Sequence, residues 1–558
     1  TDTTTTGITA IGKGQHVEIQ NAGPIDVYAQ STKGGQTAGL FVNGGGEITI
    51  HNGGENADQK VLTVRGDTTA KANGALIKGM NGVNGAQSKI VIDGLVDVLA
   101  DGDVTDGKGA NEAVSAVASQ IDIGGGSIRA VNGAWAAIRA YGEFVSQNYG
   151  IVNVNTVKDA DGNVTGSGQN KTVVEGDIVT NGGMGTKGRV SVGLSTADSH
   201  WIGNYTDNTG YGVTPGQLGN VNLFMSGGAN WTGYSTGTMN VQMTGGSTWN
   251  GYNTSDQFVL GLSDGAVWYN TNSSDKDSKV GYLTGGQDGR SAGIVDMTQG
   301  SSAVDIAQYS GDTTFIYKHT AGDNYTAAVS GGNVTIGNAA AGSHVTLLTD
   351  SDGVLMNDED SIDSVLNALA QKLYYTAYVT GERNLSGSVK IAEGLTASSA
   401  VMQTGDISFS DTDGQGSLKD GSVTPGVQYP DSQTTDTFTA AITGDTSADK
   451  VYLQSGVLKK DTGIYEFTKD TTINADKQLI AAGAWMGKLS AAVSSGTEVA
   501  KDTVVDMNGH ALHISTTTDT TTTGITAIGK GQHVEIQNAG PIDVYAQSTK
   551  GGQTAGLF

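Results

Sequence analysis

Three segments in mid-chain repeat one pattern: Met225-Ser226-Gly227-Gly228-Ala229-Asn230-Trp231, Met243-Thr244-Gly245-Gly246-Ser247-Thr248-Trp249 and Leu262-Ser263-Asp264-Gly265-Ala266-Val267-Trp268. Their tryptophans stand 18 and 19 residues apart (249 − 231 and 268 − 249). A repeat that short is too small for a propeller blade and suits one coil of a solenoid. If coils stack in register, Met225, Met243 and Leu262 form one ladder and Trp231, Trp249 and Trp268 another. A core or stacked shoulder is the expected place for such tryptophans, ahead of a carbohydrate-binding stripe.

The rest of the chain carries the same signature without the tryptophans. Val17-Glu18-Ile19, Ile25-Asp26-Val27, Ile48-Thr49-Ile50, Ile90-Val91-Ile92, Ile121-Asp122-Ile123, Val190-Ser191-Val192 and Val334-Thr335-Ile336 alternate apolar with outward positions and end in Gly, Asn or Asp. Alternation over so few residues reads as half-buried strands joined by turns. The 85 glycines come with only 5 prolines and no Gly-X-Y period, which excludes collagen. The recurring aliphatic runs exclude a flexible linker. The expected fold is all-β, a right-handed parallel β-helix (β-solenoid), in which each coil lends its backbone hydrogen bonds to the next and many coils together bury one apolar column.

A larger period overlies the coils. Residues 1–41 reappear letter for letter as residues 518–558, an offset of 517 (518 − 1). Independent coils share a pattern and not 41 identical letters, so the identity points to a tandem array of long repeats. One segment departs from the β pattern. Between Asp360 and Leu373 the residues Ile362, Val365, Leu366, Leu369 and Leu373 fall on one helical face, preceded by Asp358 and Glu359, with Asp360 or Ser361 as cap. The expected organisation is β-helix coils over 1–357, an amphipathic helix interruption over 358–374, coils over 375–517, and the start of the next repeat over 518–558. Coils of about 18–23 residues and about 4.8 Å would make one repeat on the order of 110–140 Å long. The expected partners are adjacent copies of the repeat, with lateral self-association.

The charge balance narrows the function. With 56 acidic and 31 basic residues the net charge is −25. Such a surface repels polyanions, and no basic aromatic patch argues for nucleic acid. Cysteine is absent, which removes disulfide scaffolds and thiolate chemistry and suits export through an oxidising compartment. No stretch has the length of a transmembrane helix, so no membrane insertion by this segment is expected. The N-terminal residues lack a leader pattern, and the chain reads as a window of a longer precursor.

A search for chemistry leaves little. No Gly-Asp-Ser-Gly or Gly-x-Ser-x-Gly surrounds a serine, and Gly166-Ser167-Gly168 reads as a loop. The histidines at 16, 51, 200, 319, 344, 510, 513 and 533 show no ligand spacing, the His510/His513 pair included. Neither a catalytic residue, nor a metal site, nor a cofactor is expected. Asp350-Ser351-Asp352-Gly353 with Asn357 to Asp360, and Asp159-Ala160-Asp161-Gly162-Asn163, offer oxygen ligands but lack calcium-loop spacing and read as turns. A carbohydrate-active β-helix is a second alternative, because acidic pairs abound, though no segment gathers aromatics, Arg and paired Asp. Arg65-Gly66-Asp67 is an integrin-type tripeptide and a weak adhesion candidate, meaningful only on a protruding turn.

Several stretches resemble the passenger region of Gram-negative autotransporters, the large adhesin-like passengers in particular. Gly219-Asn220-Val221-Asn222-Leu223 leading to Gly228-Ala229-Asn230-Trp231, and Gly265-Ala266-Val267-Trp268, look like their strand-then-GA-x-W coils. The run Val365-Leu366-Asn367-Ala368-Leu369-Ala370-Gln371-Lys372-Leu373-Tyr374-Tyr375, followed by Val379-Thr380-Gly381-Glu382-Arg383-Asn384-Leu385-Ser386-Gly387 and Ile391-Ala392-Glu393-Gly394-Leu395-Thr396, is the more specific match. The resemblance implies a right-handed β-helix displayed outside the cell, a filament supporting adhesion or cell–cell contact, or an adhesin for host surface ligands. Two features depart from it. No terminal series of barrel strands is present, and duplication on this scale is not general in that family.

Overall fold

The computed structural model describes residues 5–349 apart from the loops 21–22, 31–36, 54–60, 68–73, 82–85, 103–110, 143–148, 183–185, 207–219, 273–276 and 322–326. Beyond these it describes 369, 372–375, 384–390, 395–398, 402–403, 406–407, 439–442, 456–459, 464–467, 471–474, 503–518, 522–525 and 534–557. The chain divides into two compact units, Thr1–Thr313 and Thr314–Phe558. Every described regular element is a strand, so the fold class is all-β.

In the first unit the strands pair parallel in long ladders, and each inward position meets its equivalent in the next layer. One ladder runs Ile19, Ile50, Ile92, Ile123, Val154, Val192, Leu223, Val241, Leu260, Leu283, Tyr309. From Ile50 to Tyr309 each of these is at most 4% exposed. A second runs Ile8, Leu40, Ile77, Val114, Ile138, Ile178. A third runs Val27, Val64, Val98, Ile128, Val174, Trp201, Trp231, Trp249, Trp268, Val295. The alternating sequence explains them: β-branched residues stand on one face of a pleated strand, and polar neighbours such as Glu18 and Thr49 take the other.

Layer spacing corrects the expected 18–23 residues. Along the first ladder the steps are 18 residues from Leu223 to Val241 but 31 from Ile19 to Ile50 and 42 from Ile50 to Ile92. Early layers carry three strands, as in Thr5–Ile11, His16–Ile19 and Ile25–Gln30, whereas Val221–Met225 and Asn230–Thr232 make up most of a later one. The turn of the short layers explains their glycines. Its two central residues are left-handed at Gly227/Gly228 (φ 61° and 79°), Gly245/Gly246 (58° and 70°) and Asp264/Gly265 (54° and 69°). Two successive positive φ values favour Gly, and Asp tolerates one.

The second unit is less regular. Val334–Ala339 pairs parallel with Leu373–Tyr375, and Ser343–Thr349 with Leu385–Lys390. The strands Leu385–Lys390, Leu395–Ser398, Thr439–Ile442, Gly456–Lys459 and Ile464–Phe467 then follow one another antiparallel. Most of the coils expected over 375–517 lie outside the described residues. Parallel pairing resumes from Ile464–Phe467 to Thr503–Asp506 and on to Val534–Gln537, and from Thr471–Asn474 to Leu512–Thr518 and on to Ile542–Ser548. Most of the helix expected over 358–374 lies outside the described residues. At its end the expectation fails: Leu373 and Tyr374 are extended and pair with Val334 and Thr335. Leu373 is fully buried, and the sheet edge offered by Val334 overrides the helical spacing. No helix of the described residues is long and apolar enough to cross a membrane.

Candidate functional site

The tryptophan ladder forms as the spacing requires, with one member more. Trp201 precedes Trp231, Trp249 and Trp268, and all four are fully buried. Successive rings stack at centroid distances of 4.8, 4.6 and 4.8 Å, within 9° of parallel. Each indole N–H reaches back one layer: Trp201 Nε1 donates to the Gly176 carbonyl at 3.0 Å, Trp231 to Gly203 at 3.1 Å, Trp249 to Gly233 at 3.0 Å and Trp268 to Gly251 at 3.0 Å. All four buried indole donors are therefore satisfied. Each acceptor lies two residues beyond the preceding member of the ladder. There a side chain would collide, since a Cβ on Gly251 would lie 1.8 Å from the Gly233 oxygen and one on Gly233 1.9 Å from that of Gly203. Trp201 was legible as Trp-x-Gly, shared by Trp201-Ile202-Gly203, Trp231-Thr232-Gly233 and Trp249-Asn250-Gly251, but the 30-residue gap (231 − 201) hid it from a search at constant spacing. Met225, Met243 and Leu262 also pair in register and are buried. Both ladders belong to the interior, so neither presents a sugar-binding stripe.

Arg65-Gly66-Asp67 lies within the strand Leu62–Asp67 and not on a protruding turn. The Arg65 guanidinium is held by the Asp97 carboxylate and carbonyl of the adjoining strand, and Asp97 also accepts from Arg129 at 3.0 Å. Burial pushes the Asp97 carboxyl upward, but the hydrogen bonds from Arg65 and Arg129 outweigh it and hold the group below its ordinary value. A similar cross-layer contact ties Arg139 to Glu112 at 2.6 Å, with the guanidinium over the rings of Trp135 and Tyr141 at 4.3 and 4.2 Å. The Asp159 carboxylate accepts from the backbone N–H groups of Asp161 and Asn163 at 3.0 and 2.8 Å, closing its own turn. The Asp350–Asp360 cluster lies outside the described residues. Among the described residues no three of His, Asp and Glu gather as metal ligands would.

The duplicated segment is the more informative surface. In the first copy Thr5, Thr6 and Ile8 pair with Thr37, Ala38 and Leu40; in the second, Thr522, Thr523 and Ile525 pair with Thr554, Ala555 and Leu557. These are the same positions in the same register. The two other strands of the segment are bonded on opposite edges. Val17 and Ile19 pair forward, with Ile48 and Ile50, and Ile25 and Val27 with Leu62 and Val64. Their equivalents Val534 and Ile536 pair backward, with Thr503 and Val505, and Ile542 and Val544 with Leu512 and Ile514.

The backbone confirms the change of edge. The carbonyls of Gln15 and Ile19 accept from Glu47 and His51, each at 2.9 Å, whereas that of Gln537, the counterpart of Gln20, accepts from Met507 at 2.9 Å. Carbonyls of successive residues in a strand point to opposite edges. The apolar exposure follows: Tyr28 and its counterpart Tyr545 are 61% and 54% exposed, and Ile542 is 42% exposed. Around the forward edge of the first copy, His51 Nδ1 lies 2.9 Å from Asp93 and its Nε2 3.5 Å from Glu18, while His16 Nδ1 lies 3.7 Å from Glu47. The bond to Asp93 is the main cause that raises His51 above the ordinary histidine range.

No protein-family model, curated protein or solved structure matches this chain.

Proposed function

We propose that the chain is a stretch of a structural filament at the surface of a Gram-negative cell, built from tandem right-handed β-helical repeats of the autotransporter-passenger kind and supporting adhesion or cell–cell contact. The single observation that carries the filament reading is the letter-for-letter return of residues 1–41 as residues 518–558, with Thr5, Thr6 and Ile8 paired to Thr37, Ala38 and Leu40 in the register that Thr522, Thr523 and Ile525 hold to Thr554, Ala555 and Leu557. One internal copy bonded on both edges would join the end of each 517-residue repeat to the start of the next (518 − 1) without a seam. The parallel ladders support a β-helix, since inward positions recur in register from strand to strand along the chain, and parallel crossovers are right-handed in nearly all cases. The acidic, cysteine-free composition supports an exported, solvated surface.

A host-binding adhesin is the second reading. The specific observation favouring it is the antiparallel hairpin Thr156–Lys158 and Val164–Ser167, an insertion into the parallel layers whose Val157 is 48% exposed. The filament reading is tested by negative-stain microscopy of chains carrying one, two and three of the 517-residue repeats (518 − 1). Rods of constant width should lengthen by a fixed increment per repeat. Rods that fail to lengthen, or separate beads, would sink it.

A further inference from the structure

No single run of the sequence gathers aromatics, arginine and acid, but successive layers of the first unit bring such a group together. Lys78, Ser115 and Arg139 pair in register along the strands Gly74–Gly79, Asn111–Val117 and Ala136–Tyr141. The turn before the last strand is left-handed at Asn132 and Gly133 (φ 52° and 86°), and the Ala134 N–H closes it on the Val131 carbonyl at 3.1 Å. It delivers Trp135 to the surface, where the side chain is 42% exposed, whereas the four ladder tryptophans are fully buried. Tyr149 is exposed as well. It stands beside Tyr141, because a Cβ on the adjoining Gly150 would lie 2.5 Å from the Tyr141 oxygen. The Arg139 guanidinium lies over the Trp135 and Tyr141 rings and gives one N–H to the buried Glu112. Its Nε is enclosed with no acceptor among the described residues. Burial pushes the Lys78 ammonium below its ordinary value, Glu112 opposes the shift, and Arg139 adds to it. One carboxylate therefore does not balance the two cations.

We propose that Trp135, Arg139 and Lys78 form a binding site for one acidic sugar, a pyranose that carries a single carboxylate. The open part of the indole offers its electron-rich face to the C–H groups of a sugar ring. The sugar carboxylate goes to the guanidinium and the ammonium, where charge-assisted hydrogen bonds are strongest. Glu112 and the flanking rings hold the guanidinium in place beforehand, so little ordering remains to oppose binding. Size argues for a sugar: an exposed indole with two neighbouring phenols falls far short of the roughly 800 Å² that a protein partner covers. Charge argues for a single acid. A polyanion is repelled by the net charge of −25, whereas a lone carboxylate meets a local excess of cations. The site rests on the host-binding reading, whose ligand class it names, and is independent of the filament.

The test uses the full chain with glucuronic acid, its methyl ester and glucose as probes, and binding is read by calorimetry and by ligand-observed NMR. Glucuronic acid should bind about tenfold tighter than the ester or glucose, which keep the ring and lack the charge. Trp135→Leu should abolish binding of all three while leaving the circular dichroism unchanged, since the side chain is exposed. Lys78→Gln should bring glucuronic acid down to the level of the neutral sugars and leave those as they were. No binding, or equal affinity for acid, ester and glucose, overturns the proposal. So does acetate that competes on equal terms with glucuronic acid, and so does a folded Trp135→Leu chain that binds as the wild type does. Should Trp135→Leu lose the native spectrum, the comparison of acid with ester on the unaltered chain decides. Attachment to host cells that neither free glucuronic acid nor Trp135→Leu diminishes would overturn this site and leave the host-binding reading standing. Glucuronic acid that binds as expected to a chain that attaches to no cell would support the site and sink that reading.

Discussion

A fully buried Trp249 is held by a ring on either side and by one hydrogen bond to the Gly233 carbonyl at 3.0 Å. Removing it opens a cavity in a column that cannot collapse, because the backbone spacing is set by the neighbouring strands. Trp249→Ala should cost about 3–5 kcal/mol, read as a lower midpoint in urea, and Trp249→Phe clearly less. Equal losses would show that packing of the column does not limit stability. Gly233→Ala tests the other side of the same contact. Its Cβ would meet backbone 1.9 Å away, at a φ of +150°, so the layers must part. We expect a loss of roughly 2–4 kcal/mol, among the larger single-residue effects, although the substitution adds only one methyl group. Glycine at these positions is read from the sequence as a turn residue. Its actual role, clearing the approach of two backbones and an indole N–H, depends on a neighbour in the adjoining layer and has no local signature.

Strands in this molecule communicate through facing side chains, some apolar and some charged. Ile50→Asp or Val192→Asp would isolate a carboxylate among aliphatic ladders and should destabilise by several kcal/mol, about 3 or more, measured by thermal unfolding. An unchanged transition would refute the inward register of these strands. The charged contacts predict pH dependence with opposite signs. Asp97 has a folded value below its unfolded one, so the stability it lends is present above the unfolded carboxylate pKa and lost as pH falls through the depressed one. His51 has a raised value, so its contribution is complete below the ordinary histidine pKa and fades as pH rises through the raised one. Hydrogen exchange of residues 16–19 should therefore quicken across that window in the wild type, and the quickening should vanish in His51→Gln. The end of the helix expected over 358–374 shows where element-scale reading fails. Leu369 and Leu373 fit a helical face, and both are buried, but burial at Leu373 is reached through a sheet edge that local periodicity does not reveal.

For the whole molecule the decisive property is repetition on two scales. Short layers supply a core that no single layer could build, and the 41-residue identity supplies matched ends. The net charge of −25 bears on this scale as well. If tandem repeats form the proposed filament, its lateral bundling is opposed by like charge at low ionic strength, so light scattering of a tandem array should rise when salt is added, as the Debye length falls from about 30 Å at 0.01 M to about 8 Å at 0.15 M. Scattering that is independent of salt would count against lateral association limited by charge.

By itself the sequence determined the all-β class, the inward and outward faces of most strands, the Met225 and Trp231 ladders and the duplication. Each of these is written in local alternation or in literal identity, which chain neighbours carry. Only the tertiary structure decided the length of each layer, the place of Trp201 at the head of the ladder, the antiparallel run after Leu385 and the tying of Arg65 to Asp97 in an ion pair. It alone revealed that the two identical copies are bonded on opposite edges. A strand has two edges and one sequence, and which edge is filled depends on what lies beside it in space.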